Sequence, residues 1–156
     1  MPIPDFIVEL RKQVGHAELW LPGVTAVVRR AETLLLVRRS DNQEWTPITG
    51  IVDPGEQPAV AARREVLEET GVTVDVARLA WVNASALVVH TNGDLARYLD
   101  LCFSCRYVDG EAHVADDESV DVAWFPIDAL PPMRSVFLER ITSTLAANPE
   151  TRFELG

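Results

Sequence analysis

Apolar and polar positions along this chain predict several β-strands with three helices between and around them. Two aliphatic runs, 24–28 and 33–37, are split by polar residues 29–32 and predict a β-hairpin. Further extended segments are expected at 72–76, 79–90, 95–107 and 120–125. The sequence Thr91-Asn-Gly-Asp94 is typical of a tight hairpin turn.

Helical spacing of apolar residues is found in three places. One predicted helix covers residues 5–14, with Asp5 as its capping residue and Gly15 at its end. A second covers residues 58–70 and is ended by Gly71. A closing helix is expected over 135–147. Residues 40–54 are rich in turn formers and predict a loop. The order of elements indicates either an α+β protein or a three-layer α/β/α arrangement.

Length and charge narrow the class of protein. With 156 residues, the chain predicts one domain covering 1–156, with an N-terminal helical extension (1–18) and a C-terminal helix and tail (135–156). The net charge of −10 argues against a nucleic-acid partner or an anionic membrane surface. No apolar run reaches the roughly 18 residues of a membrane span, and no signal peptide is evident, so a cytoplasmic location is expected.

Two cysteines, Cys102 and Cys105, form a C-x-x-C motif within an expected strand. Residues three apart on a strand point to opposite faces, so the two thiols should not converge on one metal ion. We therefore interpret both as packing residues. A redox thiol or an intermolecular disulfide is the alternative.

The expected central helix carries an unusual acidic group. Glu65, Glu68 and Glu69 stand at i, i+3 and i+4, on one arc of the helix about 100° wide. Like charges at this spacing repel each other, whereas Mg²⁺ prefers such oxygen ligands. The opposite arc is expected to pack on a sheet and carries Ala59, Val60, Val66 and Leu67. The alternative is a solvated acidic face in which Arg64 pairs with Glu68.

The segment 50–72 resembles the Nudix box, G-x5-E-x7-R-E-U-x-E-E-x-G-U with U aliphatic. Nine specified positions are filled, by Gly50, Glu56, Arg64, Glu65, Val66, Glu68, Glu69, Gly71 and Val72. The ending at residues 124–130 is also similar to this family, and the resemblance extends over about residues 20–145. It implies an α/β fold, an α/β/α sandwich around a mixed β-sheet.

The resemblance also implies a reaction, the metal-dependent hydrolysis of a nucleoside diphosphate linked to another moiety, with Mg²⁺ or Mn²⁺. Its implied metal ligands are the Gly50 carbonyl oxygen, Glu65, Glu68 and Glu69. Glu56 would support the site, and Arg64 would orient a box glutamate. The general base would be Glu65 or Glu68, or an acid of the later loop: Asp116, Asp117 or Glu118.

Substrate markers are weaker. Thr49 replaces the glycine that many members have before Gly50, and residues 87–90 hold neither the proline nor the tyrosine marker of two known subgroups. Stacking and phosphate contacts are expected from Trp20, Trp45, Tyr98, Arg38 or Arg39, and Glu118 is a further substrate candidate. A MutT-like hydrolase of nucleoside triphosphates or related nucleotides, oxidised ones included, fits best.

Three alternatives remain open from the sequence. They are an ADP-ribose or dinucleotide-type pyrophosphatase, a non-catalytic nucleotide-binding module, and an isomerase of isoprenoid diphosphates. The expected partner is a small nucleotide substrate, without nucleic acid or membrane. A homodimer through the N-terminal segment is also expected from the resemblance.

Overall fold

The computed structural model describes residues 3–156, which contain three helices and nine strands. In chain order they are α1 (Asp5–Val14), β1 (Leu19–Arg30), β2 (Thr33–Arg39), β3 (Trp45–Thr46), β4 (Ile48–Ile51), α2 (Pro58–Thr70), β5 (Thr73–Ala84), β6 (Val88–Val89), β7 (Leu95–Asp109), β8 (Ser119–Pro126), α3 (Ser135–Leu145) and β9 (Arg152–Phe153).

The described strands form one mixed sheet in the order β3-β2-β1-β7-β5-β9, with β4 beside β1, β6 beside β7 and β8 beside β2. The central pair, β1 and β7, is parallel from Leu19↔Ala96 to Arg29↔Arg106. β1 pairs with β2 only near their shared turn, as in the predicted hairpin, and pairs with β4 through residues 23–26. β4 thus takes the place beside β1 that β2 leaves.

Alternate residues of the sheet pack against different helices. Val24, Ala26 and Val28 of β1 belong to a core that includes Ala61, Ala62 and Val66 of α2, which we call the α2-side core. Val27 belongs instead to a core with Ile141 of α3, the α3-side core. The sheet therefore lies between α2 and α3, and the predicted α/β/α sandwich is confirmed.

The two cysteines follow the same alternation along β7. Cys102 lies in the α3-side core and Cys105 in the α2-side core, both fully buried as free thiols. Burial raises the pKa of each thiol to about 12, which disfavours the reactive thiolate. The prediction of two packing residues on opposite faces is confirmed.

Helix α1 has the predicted bounds and packs at one end of the sheet. Ile7 is buried against Leu21 and Ala96. Arg11 Nη2 donates a hydrogen bond to the Leu95 carbonyl oxygen at 2.9 Å, and Arg11 Nε lies 3.5 Å from Asp94 Oδ2. These contacts attach α1 to the turn between β6 and β7.

Three strand predictions need correction. Residues 40–54 were expected to be a loop, but they contain β3 and β4, because β1 needs a hydrogen-bonding partner where β2 diverges. The segments 72–76 and 79–90 form one strand, β5, which passes through three register shifts against β7 and ends at Ala84. β1 also begins earlier than expected, at Leu19. None of the described helices has the length and apolar character needed to cross a bilayer.

Candidate active site

Helix α2 is bounded by backbone signals that its sequence supplies. Pro58 occupies the start of the helix, where a missing N–H costs nothing. Gly71 ends it in the left-handed conformation at φ 71°, and its N–H donates to the Leu67 carbonyl oxygen at 2.9 Å. A Cβ on Gly71 would lie 2.2 Å from His113 Cε1, so a larger residue would also displace the loop that follows β7.

The orientation of α2 differs from the expected one. Val66 is buried in the α2-side core and Ala59 packs against it, as expected. Val60 and Leu67 are each 53% exposed, so for these two the expectation of packing on the sheet is wrong. Glu65 is completely buried and Glu69 is 3% exposed, whereas Glu68 is exposed. The helix is rotated so that two of the acids face the sheet, where Ala61, Ala62 and Val66 make the apolar contacts.

The Glu65 side chain packs directly against the backbone of Gly50 on β4. A Cβ placed on Gly50 would stand 2.2 Å from Glu65 Cδ and 2.4 Å from its Cγ and Oε1. No side chain fits in that space. The Gly50 carbonyl oxygen lies 3.6 Å from a Cβ built on Gly23 of β1.

Arg64 connects the start of the box to its acids. Its Nε and Nη2 donate to the two Glu56 carboxylate oxygens, each at 2.8 Å. Its Nη1 donates to Glu65 Oε1 at 2.8 Å and to Glu68 Oε2 at 3.3 Å, and Nη2 also reaches the Ile51 carbonyl oxygen at 3.2 Å. The structure thus brings Glu56, Arg64, Glu65 and Glu68 together. Their individual roles stay predictions.

Burial sets the protonation of the acids. Desolvation raises the pKa of Glu65 to about 7, although the Arg64 charge acts in the opposite direction. Desolvation, together with the charges of Glu65 and Asp116, raises the pKa of Glu69 to about 8. The hydrogen bonds from Arg64 hold the pKa of Glu56 below its ordinary value. Glu56 is therefore ionised, whereas the buried Glu65 and Glu69 favour a bound proton or a cation.

The donor set fits a hard divalent cation. Glu65, Glu68, Glu69 and the Gly50 carbonyl supply oxygen ligands, which Mg²⁺ prefers. Glu65 Oε2 is buried without a hydrogen-bond partner among the described residues. In residues 3–156, however, no three His, Cys, Asp or Glu side chains are gathered as a ready cation cage. Glu65 and Glu68 instead share the Arg64 guanidinium, because Nη1 donates to one oxygen of each carboxylate.

The acidic loop before β8 reaches the end of α2. The Ala115 N–H donates to the Glu69 carbonyl oxygen at 3.2 Å, and the Asp116 charge acts on Glu69. The Glu118 N–H donates to Asp116 Oδ1 at 3.1 Å, and its carbonyl accepts from Ser40 at 2.8 Å. Among the predicted loop acids, the structure brings Asp116 nearest to the box.

The predicted substrate residues are divided between two places. Arg38 and Trp45 are cross-strand partners on the α3 side, with Arg38 Cζ 6.0 Å from the Trp45 ring centroid and Trp45 packed edge-on against Phe125. Tyr98 lies nearer to Gly50, since Tyr98 Cδ1 is 3.5 Å from a Cβ built on Gly23. Arg39 is held by Asp41, and Trp20 is exposed.

A cleft of about 650 Å³ opens beside the box acids. It is lined by Ile3, Pro4, Asp5, Phe6, Asp53, Pro54, Arg64, Glu68 and Asp116. The sequence did not predict the N-terminal residues of this lining. Helix α1 is attached near the site by contacts of Arg11 with residues 94 and 95, and no sequence motif predicts such long-range contacts. Another cleft of about 580 Å³, around Arg30 and Trp124, contains no box residue.

Comparison with known families settles the assignment. The model of the NUDIX domain matches residues 19–145. The chain belongs to the Nudix family. The resemblance found at the box is confirmed.

Relatives of this Nudix chain differ in length. The NAD-capped RNA hydrolase NudC of Pseudomonas aeruginosa is 34% identical over 114 residues, which are 72% of this chain and 38% of that protein. The chain thus spans well under half of that curated relative. A MutT-like protein of Streptomyces ambofaciens is 34% identical over 132 residues, 83% of this chain and 80% of its own length. The crystal structure of a MutT NUDIX hydrolase from Burkholderia pseudomallei superposes with a TM-score of 0.63 at 25% identity, covering 80% of this chain and 98% of that one.

Proposed function

We propose that this chain hydrolyses a pyrophosphate bond in a nucleoside diphosphate linked to a further group, X. One observation carries the proposal: the helix of the complete box buries two carboxylates, Glu65 and Glu69, and Glu65 lies against Gly50, which leaves room for it. Burying two like charges is costly for a fold, and it becomes favourable when cations and a diphosphate share the site. Membership in a family of hydrolases supports the same reaction.

Glu65, Glu68, Glu69 and the Gly50 carbonyl oxygen would hold Mg²⁺ or Mn²⁺. When bound, such an ion neutralises phosphate charge and lowers the pKa of a coordinated water. Arg64 keeps Glu65 oriented through the 2.8 Å hydrogen bond to Oε1, and Glu56 fixes Arg64 through two more. The proton of the attacking water would be accepted by Glu65, Glu68 or Asp116; Glu68 and Asp116 line one cleft, and Glu65 shares the Arg64 guanidinium with Glu68.

Two classes of X are in question. A phosphate as X gives a nucleoside triphosphate or a related nucleotide, oxidised forms included, as the sequence suggested and as the MutT-like relative supports. The P. aeruginosa relative is named an NAD-capped RNA hydrolase, which supports a dinucleotide or RNA-linked X as the second class. The absence of a nucleic-acid partner therefore stays a prediction.

A substrate panel tests the proposal. Purified protein is incubated with ATP, an oxidised guanosine triphosphate, ADP-ribose, NAD and NAD-capped RNA, with Mg²⁺ or Mn²⁺ and with a chelator. We expect metal-dependent release of a phosphate-bearing fragment from at least one of them, and at least a 100-fold loss in Glu69→Gln. Equal background rates for the wild type and Glu69→Gln on all substrates would contradict the proposal and leave a binding module as the interpretation.

The remaining alternatives make separate predictions. An isomerase of isoprenoid diphosphates would need a reactive cysteine at a pocket, whereas Cys102 and Cys105 are both fully buried. Incubation with isopentenyl diphosphate is expected to give no isomer. The proposed homodimer is tested by light scattering, because a mass near 17.3 kDa would reject it.

A further inference from the structure

We infer that one uncovered part of the β-sheet is the surface through which two copies of this chain form a dimer. It lies on the α2 side, at the end of the sheet where β1 and β7 begin, and we call it the bare face. The bare face consists of Trp20 and Pro22 of β1, Ala84 of β5, Val89 of β6, Leu99 of β7 and Phe153 of β9. The inference concerns assembly and is independent of the proposed reaction.

Strand register places these side chains together, because residues paired directly across two strands lie on the same side of a sheet. Leu99 is paired with Pro22 on one neighbouring strand and with Ala84 on the other. Leu99 stands two residues from Leu101, which packs against the α2-side core, so this row also faces the α2 side. The same pairing and alternation place Trp20, Val89 and Phe153 on this side, through their partners Arg97, Leu95 and Val82.

The three helices leave the bare face uncovered. α2 packs over a later part of β1, between Val24 and Val28. α3 packs on the opposite side of the sheet. α1 lies on that opposite side too, since its Ile7 packs on Leu21, whose side chain points away from that of Trp20. The bare face is therefore an apolar part of the sheet without a helix over it.

The bare face is large enough for an interface. Trp20, Val89 and Phe153 are 58%, 67% and 63% exposed, and Pro22 and Ala84 are exposed as well. With about 150–250 Å² for each aromatic side chain and somewhat less for the valine, the first three expose roughly 350 Å². Apolar patches of this size are often functional. Less exposed neighbours extend the bare face toward the roughly 800 Å² that each partner contributes to a standard interface.

Charge indicates that the occupant is a second copy. Each chain has a net charge of −10, so two copies repel each other where their acidic surfaces meet. Among the described strand positions on the bare face, only Arg97 is charged, and its Nε lies 2.6 Å from Glu18 Oε1. Two copies can therefore meet at the bare face without opposing like charges. A sheet face packs on an equivalent face about 10 Å away, and a two-fold axis makes the same patch serve both partners.

Sedimentation velocity and light scattering over a range of protein concentrations test the inference. We expect the wild type to have twice the chain mass of 17.3 kDa at micromolar concentrations. Val89→Arg and Phe153→Arg should each weaken dimerisation at least about 100-fold, because an unpaired guanidinium would be buried in an apolar interface. General charge repulsion cannot explain such a loss, since an added arginine reduces the negative charge of each copy. Added salt should not dissociate the wild-type dimer, because salt screens the repulsion between copies.

Val108→Arg is the matched control. Val108 is a valine on β7 that is 50% exposed, but it lies at the other end of the strand. Its neighbour Tyr107 packs against the α2-side core, so Val108 points to the opposite side of the sheet. This variant adds the same charge outside the bare face and should change the dimerisation constant less than about twofold.

Several results would overturn the inference. They are a wild-type mass of 17.3 kDa at every concentration, a dimer that survives both bare-face variants, dissociation by salt, or an equal loss in Val108→Arg. Loss of the dimer in Val8→Arg on α1, with the bare-face variants still dimeric, would place the contact on the N-terminal segment instead. Circular dichroism and thermal melts establish that each variant is folded. Val89 and Phe153 lie on different strands, so one variant keeps the test decisive should the other misfold.

Discussion

Replacing Gly50 with alanine tests whether the position of Glu65 depends on a bare backbone. The new Cβ would stand 2.2 Å from Glu65 Cδ, whereas carbon atoms in contact are separated by about 3.5–4.0 Å. One partner must therefore move by more than about 1 Å. Glu65 has no exposed surface to swing into, and Gly50 is held in register with Val24 of β1. The displacement is expected to be shared between the carboxylate and β4.

The magnitude follows from packing and from catalytic geometry. An extra carbon in a filled interior costs about 1–3 kcal/mol, and each kcal/mol lowers Tm by roughly 2–4 °C in a protein of this size. A catalytic group displaced by about 1 Å lowers the rate by about 10²-fold. We therefore expect Gly50→Ala to lose a few degrees in Tm and about 10²-fold in kcat/KM.

The matched control is Gly23→Ala on the neighbouring strand. Its Cβ would make only ordinary contacts, at 3.5 Å from Tyr98 Cδ1 and 3.6 Å from the Gly50 carbonyl oxygen. Thermal melts and steady-state kinetics with Mg²⁺ should leave this variant within about 0.5 kcal/mol of the wild type. If Gly50→Ala behaves like Gly23→Ala in both assays, the packing of Glu65 on Gly50 does not constrain the site and the reasoning is refuted.

Three further predictions concern buried charge. Glu69→Gln should raise the Tm of the metal-free protein and abolish its stabilisation by Mg²⁺, because burial has raised the pKa of Glu69 to about 8; an unchanged Mg²⁺ response in melts would contradict this. The pKa values of Glu65 and Glu69 in the folded protein, about 7 and 8, lie above the value of about 4.5 in the unfolded chain. The protonated acids therefore stabilise the fold fully below pH 4.5, and this stabilisation is lost as the pH rises through 7–8. The Tm difference between Mg²⁺ and chelator should therefore grow from pH 6 to pH 9, and a constant difference would count against it. Arg140→Leu should cost about 3–5 kcal/mol in urea unfolding, because it leaves the buried Asp100 with only the Thr25 hydroxyl; a cost below about 1 kcal/mol would show that the pair contributes little.

Residues that begin or end helices and turns made parts of this fold predictable from the sequence. The helix expected at 58–70 has those bounds in the structure, since Pro58 and Gly71 act locally and need no tertiary partner. The turn at Thr91–Asp94 was predictable for the same reason, and Gly93 has the positive φ of 88° that such a turn requires. The box acids were named from their spacing together with the resemblance to the Nudix box.

Tertiary contacts decided what the sequence did not reveal. The apolar arc of α2 opposite the acids was expected to pack on the sheet, yet the open surface of Gly50 accepts Glu65 and turns the helix. β4 was missed because a short strand among turn residues forms only where β2 leaves β1 unpaired. The N-terminal residues that line the cleft beside the box were also missed. Their helix, α1, is attached by the hydrogen bond from Arg11 to Leu95, which lies 84 residues away along the chain.

The rotation of α2 implies that this helix is arranged for chemistry at the expense of stability. Turning it to bury Val60 and Leu67 would contribute about 1.5–3 kcal/mol for each side chain fully removed from water. The structure instead buries Glu65 and Glu69, whose raised pKa values show that their ionised forms are disfavoured there. Arg64 offsets part of this cost for Glu65 but makes no hydrogen bond to Glu69. A helix selected only for packing would bury Val60 and Leu67 in place of the two acids, so the observed orientation supports the proposal that these carboxylates bind a ligand.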